Sequence, residues 1–256
     1  MPMKTLTLMV KINNSSKLKQ IDRFLELAFE GLKVETKSLG VAAGRWPQLA
    51  LTGEDENVAT SYAMKEMGVC PTSLENLTVS STLKGYITDL ARSKIELSVD
   101  IGVFEHEVVY ATVPLRCLQS QLMNGRKIAL KKIAELYGFC DGLPININVT
   151  QLNREEKQIE AELSEKQRSV YDDWRESLLD RLLVLGPTFQ EVKRTLDQAK
   201  LHRDVIDVEN LGLFEHSLTC KLGTDAAGLI PKIGRSLKTA KFAVFNPKRL
   251  QKFLNA

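Results

Sequence analysis

Gly85-Tyr86-Ile87-Thr88-Asp89 and Ile95-Glu96-Leu97-Ser98-Val99-Asp100-Ile101-Gly102 open the stretch that decides the fold, residues 84–164. Both runs carry β-branched and aromatic side chains, a signature of strands. A third run, Tyr110-Ala111-Thr112-Val113-Pro114-Leu115-Arg116-Cys117-Leu118, leads into a basic helical insert. The stretch closes on a hairpin, Ile147-Asn148-Val149-Thr150-Gln151-Leu152 against Ile159-Glu160-Ala161-Glu162-Leu163-Ser164. Five strands with a helix after the third predict an OB-type β-barrel. Val99 and Ile101, two apart on one strand, are expected to point inward together. The insert is predicted as one helix over residues 118–138. Ile128, Ile133 and Leu136 give its apolar stripe, Arg126, Lys127, Lys131 and Lys132 lie around its outside, and Asp141-Gly142-Leu143-Pro144 follows as the stop.

Upstream, Leu6, Leu8 and Val10 alternate as in a strand. Asn13-Asn14-Ser15-Ser16 is a turn with capping side chains. Leu18, Ile21, Leu25, Ala28 and Leu32 then recur at helical spacing. Residues 33–38 and 46–52 read as a hairpin, and Thr52-x-x-Asp55 begins a helix running to Gly68. The order β-α-β-β-α is most of a ferredoxin-like unit, whose last strand lies near residues 74–79 or is absent.

Downstream, Val170, Trp174 and Leu178 mark a helix, and Leu183-Val184-Leu185 a strand ending at Gly186-Pro187. Thr188-x-x-Glu191 is a capping box that starts the next helix. Residues 205–208 and 217–222 read as strands, 229–237 as a helix and 242–245 as a last strand. The fold class is therefore α+β: a ferredoxin-like α/β unit (1–75), an OB-type barrel (76–164) and a second ferredoxin-like α/β unit (165–256).

The 256 residues are 43% hydrophobic and 26% charged, ordinary globular composition. The apolar runs are too short for a membrane span, and residues 1–10 lack the apolar core of a secretory signal. A cytoplasmic protein is expected. Cys70, Cys117, Cys140 and Cys220 stand apart without a C-x-x-C pair, and His106, His202 and His216 do not complete a metal site. No metal, cofactor or membrane is expected. Phe104-Glu105-His106 recurs as Phe214-Glu215-His216, too short an echo to signal a repeat.

The net charge of +3 conceals a segregated distribution. From residue 231 to the end stand Lys232, Arg235, Lys238, Lys241, Lys248, Arg249 and Lys252 with no acid. Such segregation can present a positive face on a nearly neutral chain.

Two resemblances extend this reading. The order of the V-D-I-G run at Val99–Gly102, the third-strand run and the final hairpin resembles the OB-type RNA-binding domain repeated in ribosomal protein S-one. Ser98 stands where that pattern carries an aromatic, and Pro114 where it carries a histidine. Arg203-Asp204-Val205-Ile206-Asp207-Val208-Glu209, Leu211-Gly212-Leu213-Phe214-Glu215-His216 and Cys220-Lys221-Leu222-Gly223-Thr224-Asp225-Ala226-Ala227-Gly228-Leu229-Ile230 resemble an uncharacterised archaeal family, a domain of unknown function. This resemblance implies a cytosolic archaeal protein and carries no catalytic residues.

The expected function is non-enzymatic RNA binding in a ribosome-associated or RNA-processing setting, with a protein–protein adaptor in archaeal information processing as the alternative. OB domains join a cationic groove to aromatic platforms, which nominates Tyr86, Arg126, Lys127, Lys131 and Lys132. The loop holding Gly223, Thr224 and Gly228 could offer helix N-terminal N–H groups to phosphate, or be a plain turn. Lys232, Arg235 and Lys238, three apart, are expected on one helix side. Asp204 and Asp207 are expected on opposite sides of a strand, so Asp204, Asp207, Glu209, Glu215 and His216 do not form a shared acid–base site.

Overall fold

The computed structural model describes residues 4–12, 15–104 and 107–255. Asn13-Asn14 of the expected capping turn, and Glu105-His106 of the three-residue echo, lie outside them. The chain divides into two compact units, Met1–Thr78 with Asp100–Tyr110 and Asn153–Gln158, and Val79–Val99 with Ala111–Leu152 and Ile159–Ala256.

In the first unit, β1 (Lys4–Thr7), α1 (Ser15–Ala28), β2 (Val34–Ala42), β3 (Trp46–Gly53) and α2 (Glu56–Glu66) follow the expected order. The sheet runs β1-β3-β2, antiparallel throughout. Ile21 and Leu25 of α1 are buried, as their helical spacing requires. Asp55 does not cap α2 with its side chain; its carboxylate accepts the Lys33 N–H at 2.8 Å. No fourth strand forms at residues 74–79. Ser73 accepts the Glu75 N–H at 3.1 Å and turns Leu74–Asn76 into a 3₁₀ helix. The place beside β1 is held by a single bridge, Leu8 to Val69, with the Cys70 N–H on the Thr7 carbonyl at 2.8 Å.

The barrel comprises β4 (Thr82–Thr88), β5 (Glu96–Val103), β6 (Val109–Pro114), α3 (Leu115–Leu122), α4 (Leu130–Tyr137), β7 (Pro144–Asn153) and β8 (Gln158–Leu163). It closes in the order β4-β5-β6-β8-β7, with β6 and β8 parallel at Ala111–Ile159. Val99 and Ile101 are both fully buried, as their alternation demands. Asp100 between them is also fully buried: its carboxylate meets Lys11 at 3.0 Å and Arg45 at 3.2 Å. Gly102 completes the run because its φ of +75° and the nearness of Cys70 exclude a side chain; a Cβ would lie 2.4 Å from the Cys70 sulfur.

The insert is two helices instead of one. α3 begins directly after Pro114, and the chain then reverses through Asn124 and Gly125, with φ of 54° and 76°. Gly138 closes α4 in the left-handed conformation, where a Cβ would sit 3.1 Å from the Val244 carbonyl.

Next come α5 (Glu165–Glu176), β9 (Arg181–Leu185), α6 (Phe189–Gln198), β10 (Val205–Asn210), β11 (Glu215–Cys220), α7 (Ala226–Ile233), β12 (Lys241–Phe245) and α8 (Pro247–Asn255). The sheet order β10-β11-β9-β12, all antiparallel, is the complete β-α-β-β-α-β unit expected. The Thr188–Glu191 capping box is made in both directions. Leu182, Val184, Val192, Leu196, Leu218 and Leu229 share one core, each worth about 1.5–3 kcal/mol when fully buried. The helix expected at 229–237 starts earlier and ends earlier, because Asp225 caps it by accepting the Ala227 N–H at 3.1 Å. Pro231 consequently lies inside the helix and not in its first turn.

Barrel and C-terminal sheet are joined by rings and by a half-buried cation. Tyr137 of α4 meets Tyr171 of α5 edge-on at 5.2 Å between centroids, and Trp174 meets Phe245 of β12 at 5.4 Å. Lys84 of β4 donates to the Leu211 carbonyl at 2.9 Å. Burial pushes its pKa down, while the Glu215 carboxylate pulls it back up.

Candidate nucleic-acid interface

The turn after α3 is built to present cations. The Gly125 N–H donates to the Gln119 carbonyl and the Gln119 amide to the Ile128 carbonyl, both at 2.9 Å, so the loop carrying Arg126 and Lys127 is tied at both ends. Arg126 donates to the Phe253 carbonyl in the last turn of α8 at 3.0 Å, where a cation also suits the helix dipole. Lys132 of α4 lies 5.7 Å from the Phe253 ring centroid and pairs with Glu135 at 3.0 Å. Arg249 of α8 pairs with the same Glu135. Lys132 and Arg249 together hold the Glu135 carboxyl below its usual range.

These contacts weld two basic segments, far apart in sequence, into one surface. Lys127, Lys131, Lys248 and Lys252 are exposed on it, while Leu250 and Leu254 bury the opposite side of α8. A cleft of about 280 Å³ runs alongside, lined by Glu135, Phe139, Val244, Asn246 and Arg249 among others. Four exposed lysines, with Glu135 engaged by Lys132 and Arg249 and with Lys248 in electrostatic reach of Asp180, form a surface suited to polyanion.

The second expected cradle is arranged differently. Thr224 donates its N–H to the Lys221 carbonyl, and Gly228 to the Asp225 carbonyl. The Ala226 N–H points at Asp180 at 3.4 Å, and the Ala227 N–H at Asp225. Two carboxylates of the chain itself thus take the α7 N-terminus. Burial pushes the Asp180 carboxyl up, and the neighbouring Asp225 charge adds to that. Gly223 has a φ of +93° in open space, and Gly228 is an ordinary helical residue. Lys232, Arg235 and Lys238 do not share a helix side, since α7 ends at Ile233. Lys232 pairs with Asp204 at 3.7 Å, and Arg235 and Lys238 are exposed beyond the helix.

Aromatic platforms do not materialise in the barrel. Tyr86 is fully buried and offers no ring face to a base. Tyr137 and Phe139 are core residues, and Phe104 and Tyr110 are half-buried. Ser98 and the closed-in Asp100 occupy the outer side of β5, the strand surface that OB folds generally offer to oligonucleotides.

His216 is buried between Asn210 at 2.8 Å and the Pro187 carbonyl at 3.0 Å, and burial pushes its pKa down. All four cysteines are free thiols, and burial raises Cys220 to about 12 and Cys140 to about 11. Among the described residues no cluster of His, Cys, Asp and Glu could hold a metal ion, and no helix is long and apolar enough to cross a membrane.

Comparison with known proteins gives a family match. Residues 77–175 match the DUF2110 central domain and residues 179–245 the DUF2110 C-terminal domain, more than half of the chain between them. No curated protein matches the chain. Among solved structures, the intact alpha subunit of aIF2 from Pyrococcus abyssi is similar at 9% identity, over 66% of this chain and 96% of that one. Its TM-score of 0.27 is too low to show a shared fold.

Proposed function

The chain belongs to the DUF2110 family, and from that premise we propose that it is a non-enzymatic RNA-binding protein. The phosphate backbone lies along the cations of α4 and α8. The observation that carries this reading is the union of the 126–132 and 248–252 segments through Arg126–Phe253 and Arg249–Glu135. Recognition is of backbone more than base, because Tyr86, Tyr137 and Phe139 are buried and only the half-buried Phe104 and Tyr110 remain near the barrel surface. Binding of that kind weakens steeply with salt through counterion release. A salt titration of single-stranded RNA binding tests it: a steep linear fall of log affinity with log salt supports the reading, and no binding at low salt ends it.

A protein–protein adaptor in archaeal information processing is the second reading. It is favoured by one observation, the closure of the outer side of β5 at Asp100 by Lys11 and Arg45. Pull-down from lysate with and without nuclease separates the two. Partners lost with the RNA support binding to RNA, and partners retained support the adaptor.

A further inference from the structure

The two open sheets expose four edges, and three carry an obstacle to further pairing. β1 is met at its C-terminal end by Val69. β12 has Gly138 packed on the Val244 carbonyl. β10 is bulged between Val205 and Asp207, and its Asp207 and Glu209 would set acid against acid in a second copy. β2 is different: it is nine residues long, with Glu35, Lys37, Ser38, Leu39 and Val41 all exposed.

We propose that β2 pairs antiparallel with β2 of a second copy, about a two-fold axis through Thr36, to make a continuous six-stranded sheet across a dimer. In that register Glu35 faces Lys37 of the second copy, Lys37 faces Glu35, and Thr36 faces Thr36. The charges select this register. An axis through Lys37 sets two lysines opposite each other, and one through Glu35 sets two glutamates opposite; like charges directly across a strand pair destabilise it. Lys33 is already paired with Glu54 at 2.7 Å, while Glu35 and Lys37 have no ion-pair partner among the described residues. The irregularity between Ser38 and Gly40 limits the ladder to residues 34–38, the length of an ordinary strand. It also keeps the edge from pairing indefinitely.

The test is a charge-swap cycle read by sedimentation equilibrium on the nuclease-treated full chain. Wild type is expected to dimerise. Glu35→Lys alone and Lys37→Glu alone each create two like-charge contacts per dimer and should weaken association by roughly tenfold or more. An equimolar mixture of the two variants, and the double variant Glu35→Lys/Lys37→Glu, should each restore it. Both side chains are exposed, so circular dichroism should be unchanged across the set. A wild type that stays monomeric, single variants that associate like wild type, or a mixture that does not recover would each overturn the proposal.

Discussion

The α4–α8 face and the α7 N-terminal loop both carry features that attract phosphate, yet the fold treats them oppositely. On the first, Arg126 and Arg249 use part of their hydrogen-bonding capacity to join two helices, and Lys127, Lys131, Lys248 and Lys252 are left exposed. On the second, the glycine-bearing turn and helix start are satisfied internally, by Asp180, Asp225 and the carbonyl of Lys221. A helix N-terminus attracts anions only while its N–H groups are free. Basic composition near a glycine loop is therefore a weaker guide than the fate of each donor.

The largest expected effect tests the first face. Changing Lys131, Lys248 and Lys252 together to alanine should leave the fold intact and reduce the magnitude of the salt slope by roughly 2, about 0.7 for each lost single-strand contact. An unchanged slope in filter or fluorescence titrations would move RNA elsewhere on the molecule.

Asp225→Ala should act on folding alone. Loss of the cap on α7 costs about 1 kcal/mol, read as a lower denaturant midpoint, while RNA affinity stays level. A marked change in affinity instead would return the loop to the binding surface.

Glu135→Gln sharpens the comparison from the other side. The carboxylate occupies Lys132 and Arg249, and glutamine keeps an oxygen that can accept from both, so removing the charge alone should tighten RNA binding severalfold with little change in stability, as expected for an exposed ion pair. Weaker binding would mean that joining α4 to α8 needs the charge of Glu135 and not only its acceptor oxygen.

The smallest effect is expected from Lys232→Ala, Arg235→Ala and Lys238→Ala combined. These cations do not share a helix side, and Lys232 already has Asp204, so the slope should fall by less than for the α4–α8 triple. A fall as large would erase the distinction drawn between the two regions.

Local signals were legible where partners lie within a few residues. Thr188 and Glu191 make their capping box because both halves sit in one turn. Val99 and Ile101 point inward because strand alternation is a property of the backbone itself. Asn124-Gly125, a strong turn signal, breaks the insert in two, although the apolar stripe around it suggested one helix. Asp225 likewise moved the start of α7 by three residues, and with it Arg235 and Lys238 off the helix. Tyr86 illustrates the other limit, since a nominated stacking ring becomes core once the barrel closes over it.

Sequence alone determined the barrel flanked by two α/β units and the existence of two basic segments, but not the division of the insert into α3 and α4 or the final helix α8. Periodicity, turn chemistry and charge counts are local quantities, and they suffice for that. Only the tertiary structure decided which cations stand together, which N–H groups remain free and which sheet edge is left open. Those depend on packing between residues distant in sequence, 46 positions for Ala226 and Asp180 and 127 for Arg126 and Phe253. The longer of these contacts arises from closure of the barrel onto the C-terminal sheet, a cooperative outcome that no short window of residues encodes.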